Sequence, residues 1–191
     1  MSYGIRSKDY LFRANQLLAE NTIPSLFYAA FEIRCGIEMR MSEYLEAQTH
    51  ISEKKKSGWQ VAKLAKNLEQ AFRLGEKTAV IEIIDPNSNE LILKTIYTPV
   101  RKKGRDVAQK LGDYLHKAKK YHPDDDQYWS EFRRLLNDGI AELEFSNSGD
   151  LLGPPIQKLK TNQYSMSMEG GEEILELLNG ASEILMSVHY E

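Results

Sequence analysis

Residues 25–45 read SLFYAAFEIRCGIEMRMSEYL, a strongly apolar run with charges, among them Glu32, Arg34, Glu38 and Arg40, set into it. At 100° per residue, Leu26, Ala30, Ile33, Ile37, Met41 and Tyr44 fall on one face. That spacing predicts a long helix whose inward face is core. Phe27, Phe31, Arg34, Glu38 and Leu45 form a neighbouring face. Arg34 and Glu38 are one turn apart at the edge of the core, where they can pair directly. The pair has two readings: an ion pair at a helix–helix or subunit interface, or a polar element of a site in the bundle. Glu32 and Arg40 fall elsewhere on the wheel and are expected in solvent. Gly36, in mid-helix, costs about 1 kcal/mol against alanine, so another helix is expected to come close there. Cys35, in the same run, reads as a small buried hydrophobe.

Working outward, Tyr10, Leu11, Ala14, Leu17 and Leu18 recur at helical spacing and predict a first helix over Ser7 to Glu20. NTIP then punctuates the chain, with Pro24 suited to the first turn of the second helix. That helix is expected from about Pro24 to about Ile51, closed by EKKKSG, whose lysines favour a helix C-terminus. A third helix is expected from about Gln60 to Arg73, stopped by Gly75. The character changes at TAVIEII and ELILKTIY, two β-branched runs around the turn cluster DPNSN. They predict a β-hairpin at about 77–98. An isolated hairpin is marginal, so a third strand is sought in PIQKLK or QYSMSM of the tail.

Val107, Leu111, Leu115 and Ala118 then make one helical stripe. After HPDDD, whose aspartates suit a helix N-terminus as cap and dipole partners, Trp129, Phe132, Leu136, Ile140 and Leu143 make another. In the tail, EEILELL and SEILMSV read as helical. The chain is thus mainly α: a helical bundle with a hairpin insertion over residues 1–150, and an appendage over 151–191.

The 191 residues suffice for one domain with a core, and 41% hydrophobic with 28% charged residues is ordinary globular composition. The formal charge of -3 argues against a nucleic-acid coat protein but leaves room for a local basic site. The single cysteine excludes an internal disulfide and fits a reducing compartment. The first twenty residues carry no signal-peptide pattern, and no apolar run reaches the roughly 20 residues that a membrane span needs. A cytoplasmic protein without a membrane anchor is expected. Residues 101–120 hold eight basic against two acidic residues, and residues 124–150 reverse that ratio. The two segments suit an antiparallel helix pair; alternatively, the basic one faces a phosphate-bearing ligand.

No histidine pair has metal-ligand spacing, no glycine-rich phosphate loop is present, and Asp124 to Asp126 lack the rest of a calcium loop. No metal or cofactor is expected. His50, His122 and His189 lie near helix ends or the terminus and read as exposed. His116 is three residues after Asp113, which suits a hydrogen bond on the helix surface.

FYAAFEIRCGIEMRMSEYL resembles the long second helix of HEPN-like domains, the higher eukaryote and prokaryote nucleotide-binding helical bundles. AQKLGDYLHKAKK, Ala108 to Lys120, is similar to the later helix that carries the family's basic residue and histidine. The resemblance covers roughly Lys8 to Phe145 with the hairpin as an insertion. It implies a homodimer and, in catalytic members, metal-independent RNA cleavage through an arginine placed a few residues before a histidine. The matching positions are Lys110 and His116. His116 would serve as general acid or base and Lys110 as the phosphate cation. Arg34 with Glu38 would support them, and Lys102, Lys103 and Arg105 would attract RNA. Lysine lacks the bidentate fork of arginine, and no histidine of this chain follows an arginine at the family's spacing. A non-catalytic module binding a protein or RNA partner, in a bacterial defence or toxin–antitoxin setting, is therefore the leading expectation; the alternative is a HEPN-type ribonuclease.

Overall fold

The computed structural model describes residues 3–48, 51–56, 58, 60–116, 121–124, 126–151, 156–158, 163–165, 176 and 183–191. It is mainly helical. Two long helices open it, α1 (Ser7–Glu20) and α2 (Ile23–Glu46). Asn21, in the left-handed conformation, turns the chain between them. Thr22 then caps α2 through a reciprocal pair of hydrogen bonds with Ser25, and Pro24 occupies the first turn. The two helices run antiparallel and touch closely at Gly36: a methyl group there would lie 3.0 Å from Tyr10 Cβ and 2.6 Å from a Leu143 methyl. The close approach expected at this glycine is present, and two helices share it.

Helix α2 ends at Glu46, earlier than the expected Ile51, and EKKK forms a separate short helix, α3 (Glu53–Lys56). Helix α4 (Val61–Phe72) follows, ended by Arg73 in the left-handed conformation. The hairpin stands as expected: β1 (Ala79–Ile84) and β2 (Leu91–Tyr97) pair antiparallel, Ala79 opposite Tyr97, with an irregularity between Ile83 and Ile84. Then come α5 (Lys102–Leu115) and α6 (Gln127–Asn147). Asp126 caps α6 by accepting from the Tyr128 amide at 2.9 Å. This is the capping role expected of the aspartates.

The core is built around α2. Leu26, Ala30, Ile33, Ile37, Met41 and Tyr44 are all buried, and Phe132, Leu136 and Leu143 of α6 and Leu111 of α5 pack with them. A Cβ at Gly139 of α6 would meet an Ile33 methyl at 2.6 Å, so the absence of a side chain lets α6 lie close to α2.

The tail corrects two expectations. The third strand is supplied by neither PIQKLK nor QYSMSM. Within those stretches β3 (Ile156–Lys158) and β4 (Gln163–Ser165) pair with one another. The hairpin takes its third strand from β5 (Leu185–Tyr190), antiparallel on the open side of β1 with Val188 opposite Ile81. Most of SEILMSV is thus extended rather than helical. A hairpin whose inner strand leaves one row of amides unpaired recruits the last β-capable segment of the chain, and this outweighs a short helical pattern. EEILELL lies, apart from Glu176, outside the described residues, as do Ala118 and His50.

The sharpest correction concerns Arg40 and Glu32, both expected in solvent and both buried. Arg40 Nε donates to the Ser146 carbonyl at 2.8 Å, and Nη2 donates to the Gly149 carbonyl at 2.7 Å and to the Tyr44 hydroxyl at 2.9 Å. Nη1 reaches Glu43 at 3.3 Å. These carbonyls lie at the C-terminal end of α6, where a helix carries unpaired acceptors and partial negative charge. Tyr44 passes the network on by donating to the Thr98 carbonyl at 2.7 Å. The Thr98 hydroxyl donates to the Ser146 carbonyl at 2.9 Å. One guanidinium therefore ties α2 to the end of α6, and through Tyr44 to the residue that follows β2. Asp150 adds a second tie, accepting from Thr95 Oγ1 at 2.9 Å and from the Ile96 amide at 3.0 Å. Glu32 is held by Arg13 Nε at 2.8 Å and by the Tyr3 hydroxyl at 3.2 Å. The Arg13 guanidinium lies over the Tyr3 and Tyr10 rings at 4.1 and 4.6 Å.

Candidate functional site

The two oppositely charged segments lie side by side. Helices α5 and α6 run antiparallel, and their charges meet. Arg101 holds Glu142 through two bonds, at 3.0 and 2.9 Å, and Lys103 holds Asp138 at 2.8 Å. Lys102 pairs with Asp106 on its own helix at 2.9 Å, and its backbone amide donates to Glu76. Arg105 donates to the Val100 carbonyl at 2.9 Å. Three of the basic side chains proposed to attract RNA, Lys102, Lys103 and Arg105, thus already have partners within the chain. Salt bridges at such exposed positions are weak, so these lysines remain exchangeable.

Further along, α5 and α6 open into a groove of about 410 Å³ lined by Lys110, Asp113, Tyr114, Glu131, Arg134 and Asp138. Lys110 and Asp113 therefore share a site. Among the described residues neither Lys110 nor Arg134 has an ion-pair partner. Tyr114 lines the groove and stacks on Phe132 with ring centres 4.3 Å apart. His116 is exposed at the end of α5, with extended backbone, and is not part of the groove lining. Among the described residues no hydrogen bond joins it to Asp113. His122, expected to be exposed, is half-buried: its ring stacks on Tyr128 at 3.8 Å and Nδ1 lies 2.9 Å from Asp126. His189 is exposed as expected.

Arg34 and Glu38 pair as the spacing predicts, Nε donating to Oε1 at 3.0 Å. The guanidinium lies over Gly112 of α5, where a side chain at position 112 would collide with it. Burial pushes the Glu38 carboxyl above its ordinary range, and the hydrogen bond and charge of Arg34 only partly oppose this. The pair sits beside the feature that the periodicity argument passes over. On the side of α2 away from the core, Tyr28, Phe31, Cys35 and Met39 follow one another at spacings of three, four and four residues. Tyr28 is 64% and Phe31 48% exposed, and Cys35 and Met39 are half-buried. Cys35 is therefore not an inward core residue but part of this outer stripe. Its thiol is pushed up to about 11, first by burial and then by Glu38 and Glu32. At neutral pH it is an uncharged, unreactive group.

Helix α2 thus departs from a simple two-faced plan: beside its buried apolar face it also buries Arg40 and Glu32, and its outer face carries the exposed rings of Tyr28 and Phe31 next to half-buried Cys35 and Met39. Counting a second apolar stripe, Tyr28–Phe31–Cys35–Met39, would have found this in the sequence. Among the described residues no group of three His, Cys, Asp or Glu side chains is arranged to hold a metal, and no helix is long and apolar enough to cross a membrane. No protein-family model matches the chain, and neither a curated protein nor a solved structure matches it significantly.

Proposed function

We propose that this chain is a non-catalytic, HEPN-like helical module that holds another protein chain on the outer face of α2. The observation that carries this reading is the second, outward apolar stripe of α2, Tyr28, Phe31, Cys35 and Met39. Large apolar side chains scattered singly over a surface mean little, but a continuous stripe along one helix marks an interaction surface. Aromatic residues and methionine are the side chains enriched in such surfaces. The α5–α6 charge pairing supports the same choice, because it already engages Arg101 and Lys103 within the chain. Lysine in place of arginine at position 110, and His116 outside the groove that holds Lys110, favour binding over cleavage. The proposed setting is the cytoplasm, in a defence or toxin–antitoxin pair where a non-catalytic member serves by engaging its partner.

A photo-reactive phenylalanine analogue placed at position 31, and separately at position 110, tests this in cells. Protein adducts at position 31 with no RNA adducts at position 110 are expected. RNA adducts at position 110, or RNA cleavage in excess chelator that His116→Ala abolishes, would replace this reading with the ribonuclease.

A further inference from the structure

We infer that the outer edge of β5 is a further binding surface, one that takes an extended, alternately apolar segment of another protein as an added strand of the β2–β1–β5 sheet. The inference does not depend on α2; it starts from the main chain of β5. At the end of the strand Thr78 and Glu191 exchange two amide-to-carbonyl hydrogen bonds, at 2.9 and 3.0 Å. Antiparallel pairing alternates along a strand. His189, Ser187 and Leu185, opposite Val80, Glu82 and Ile84, therefore also turn their amides and carbonyls toward β1. Met186, Val188 and Tyr190 turn theirs away from it. Among the described residues none of these outward groups has a hydrogen-bond partner.

The opposite edge of the same sheet shows what a closed edge looks like. There the Asp150 carboxylate accepts from the Ile96 amide at 3.0 Å, and the Asp150 amide donates to the Ile96 carbonyl at 2.7 Å. Gly149 permits this approach: a Cβ there would lie 2.6 Å from the Ile96 carbonyl oxygen. Lys94 stands on that edge, paired with Glu82. Ile83 pairs with Leu93 but Ile84 with Leu91, so Ile92 is bulged out. A covering chain, a charged side chain and a bulge are the devices by which sheets prevent strand addition. Among the described residues β5 has none of them. Its register with β1 is unbroken from Ala79–Tyr190 to Ile84–Leu185, and Leu185–Tyr190 contains no proline, lysine or arginine.

The side chains define the occupant. Met186, Val188 and Tyr190 share the face of the sheet that carries buried Ala79, Ile81 and Ile83. Val188 packs against the core, while Met186 and Tyr190 are exposed. An added strand extends this face, so its residues opposite these three must be apolar. Its intervening residues lie beside Ser187 and His189 and are polar. Glu183 and Glu191 bracket the strand with no lysine or arginine between them, so the segment that fits is basic at its ends.

The probe is a blocked peptide of alternating valine and threonine with a lysine at each end, titrated into the nitrogen-15-labelled full chain. Before addition, the amides of Met186, Val188 and Tyr190 should exchange with solvent far faster than those of Ser187 and His189; the peptide should slow them. Methylating the valine amides, which must donate to β5, should abolish binding. Methylating the threonine amides, which point away, should not. Met186→Pro removes one outward amide without touching the pairing to β1. It should weaken binding roughly tenfold with circular dichroism unchanged, and glutamates in place of the peptide's lysines should weaken it too. Failure of the peptide to bind, or outward amides already protected in the dilute free chain, would overturn the inference. Equal binding of both methylated peptides would reduce the contact to apolar adhesion and overturn strand addition. Protection that rises with protein concentration in the absence of peptide would give the edge to a second copy and overturn another protein as its occupant.

Discussion

Arg40 and Arg34 lie six residues apart on one helix and answer to different surroundings. Arg40 points toward the end of α6, is 2% exposed, and distributes its donors over two main-chain carbonyls, Tyr44 and Glu43. Nothing further can bind it. Arg34 lies over Gly112 near the outer stripe and engages one carboxylate oxygen through one nitrogen. The same residue type therefore closes the fold at one position and is left open to a partner at the other. Charge on a helix wheel does not say which; the number of fixed acceptors within reach does.

The largest expected effect separates the two arginines. Arg40→Ala leaves the Gly149 carbonyl and the Tyr44 hydroxyl without their arginine donor in a buried site and takes one of the donors from the Ser146 carbonyl, at a cost of about 3–5 kcal/mol in urea unfolding. Arg34→Ala should cost about 0–1 kcal/mol in the same titration. Equal losses of stability would break the comparison. Next comes Tyr44→Phe, which keeps the ring and removes the hydroxyl that joins Arg40 to Thr98. A loss of about 1–3 kcal/mol is expected, read from the same unfolding curve. A loss near zero would mean that Arg40 holds the end of α6 without help from Tyr44.

These effects bear on how much was readable beforehand. The inward stripe of α2, the start of that helix at Thr22 and Pro24, the hairpin, the Arg34–Glu38 pair and the antiparallel charge pairing of α5 with α6 were all legible. Each depends on residues close in sequence or on a repeat of one period. Arg40 was misread because its acceptors are more than a hundred residues away, and periodicity carries no information about them. The strand Leu185–Tyr190 was misread for the same reason: its conformation is set by the open edge of β1, not by its own pattern. In the groove, Lys110 and Asp113 were each singled out in the sequence, but only as companions of His116, which is not part of its lining; Tyr114 and Arg134 were not singled out at all. The outer stripe of α2 was present in the sequence. It was overlooked because a helix is expected to have one apolar face, and the first one found explained the core.

A smaller effect sharpens the open side of the comparison. Burial raises the folded-state pKa of Glu38 above its unfolded value, so the folded chain binds the proton more tightly. Stability from this group is therefore greatest below the unfolded carboxylate value and declines as pH rises through the raised one. In dilute, monomeric protein, Glu38→Gln should remove that decline, with little difference from the parent at acid pH. An unchanged pH profile would contradict the assigned burial of this carboxylate. The smallest effect is kinetic. Because burial pushes the Cys35 thiol up to about 11, its alkylation by iodoacetamide should still be accelerating as pH passes 9. A plateau near the ordinary thiol value of about 8.5 would show the side chain to be solvated.

The most direct measurement places the photo-reactive phenylalanine analogue at position 31 of the full chain in cells, beside urea unfolding of the same protein. Protein adducts at position 31, in a chain that unfolds as the parent does, are the predicted result. A folded chain that gives no protein adduct there would contradict the assignment of the outer face of α2 to a protein partner.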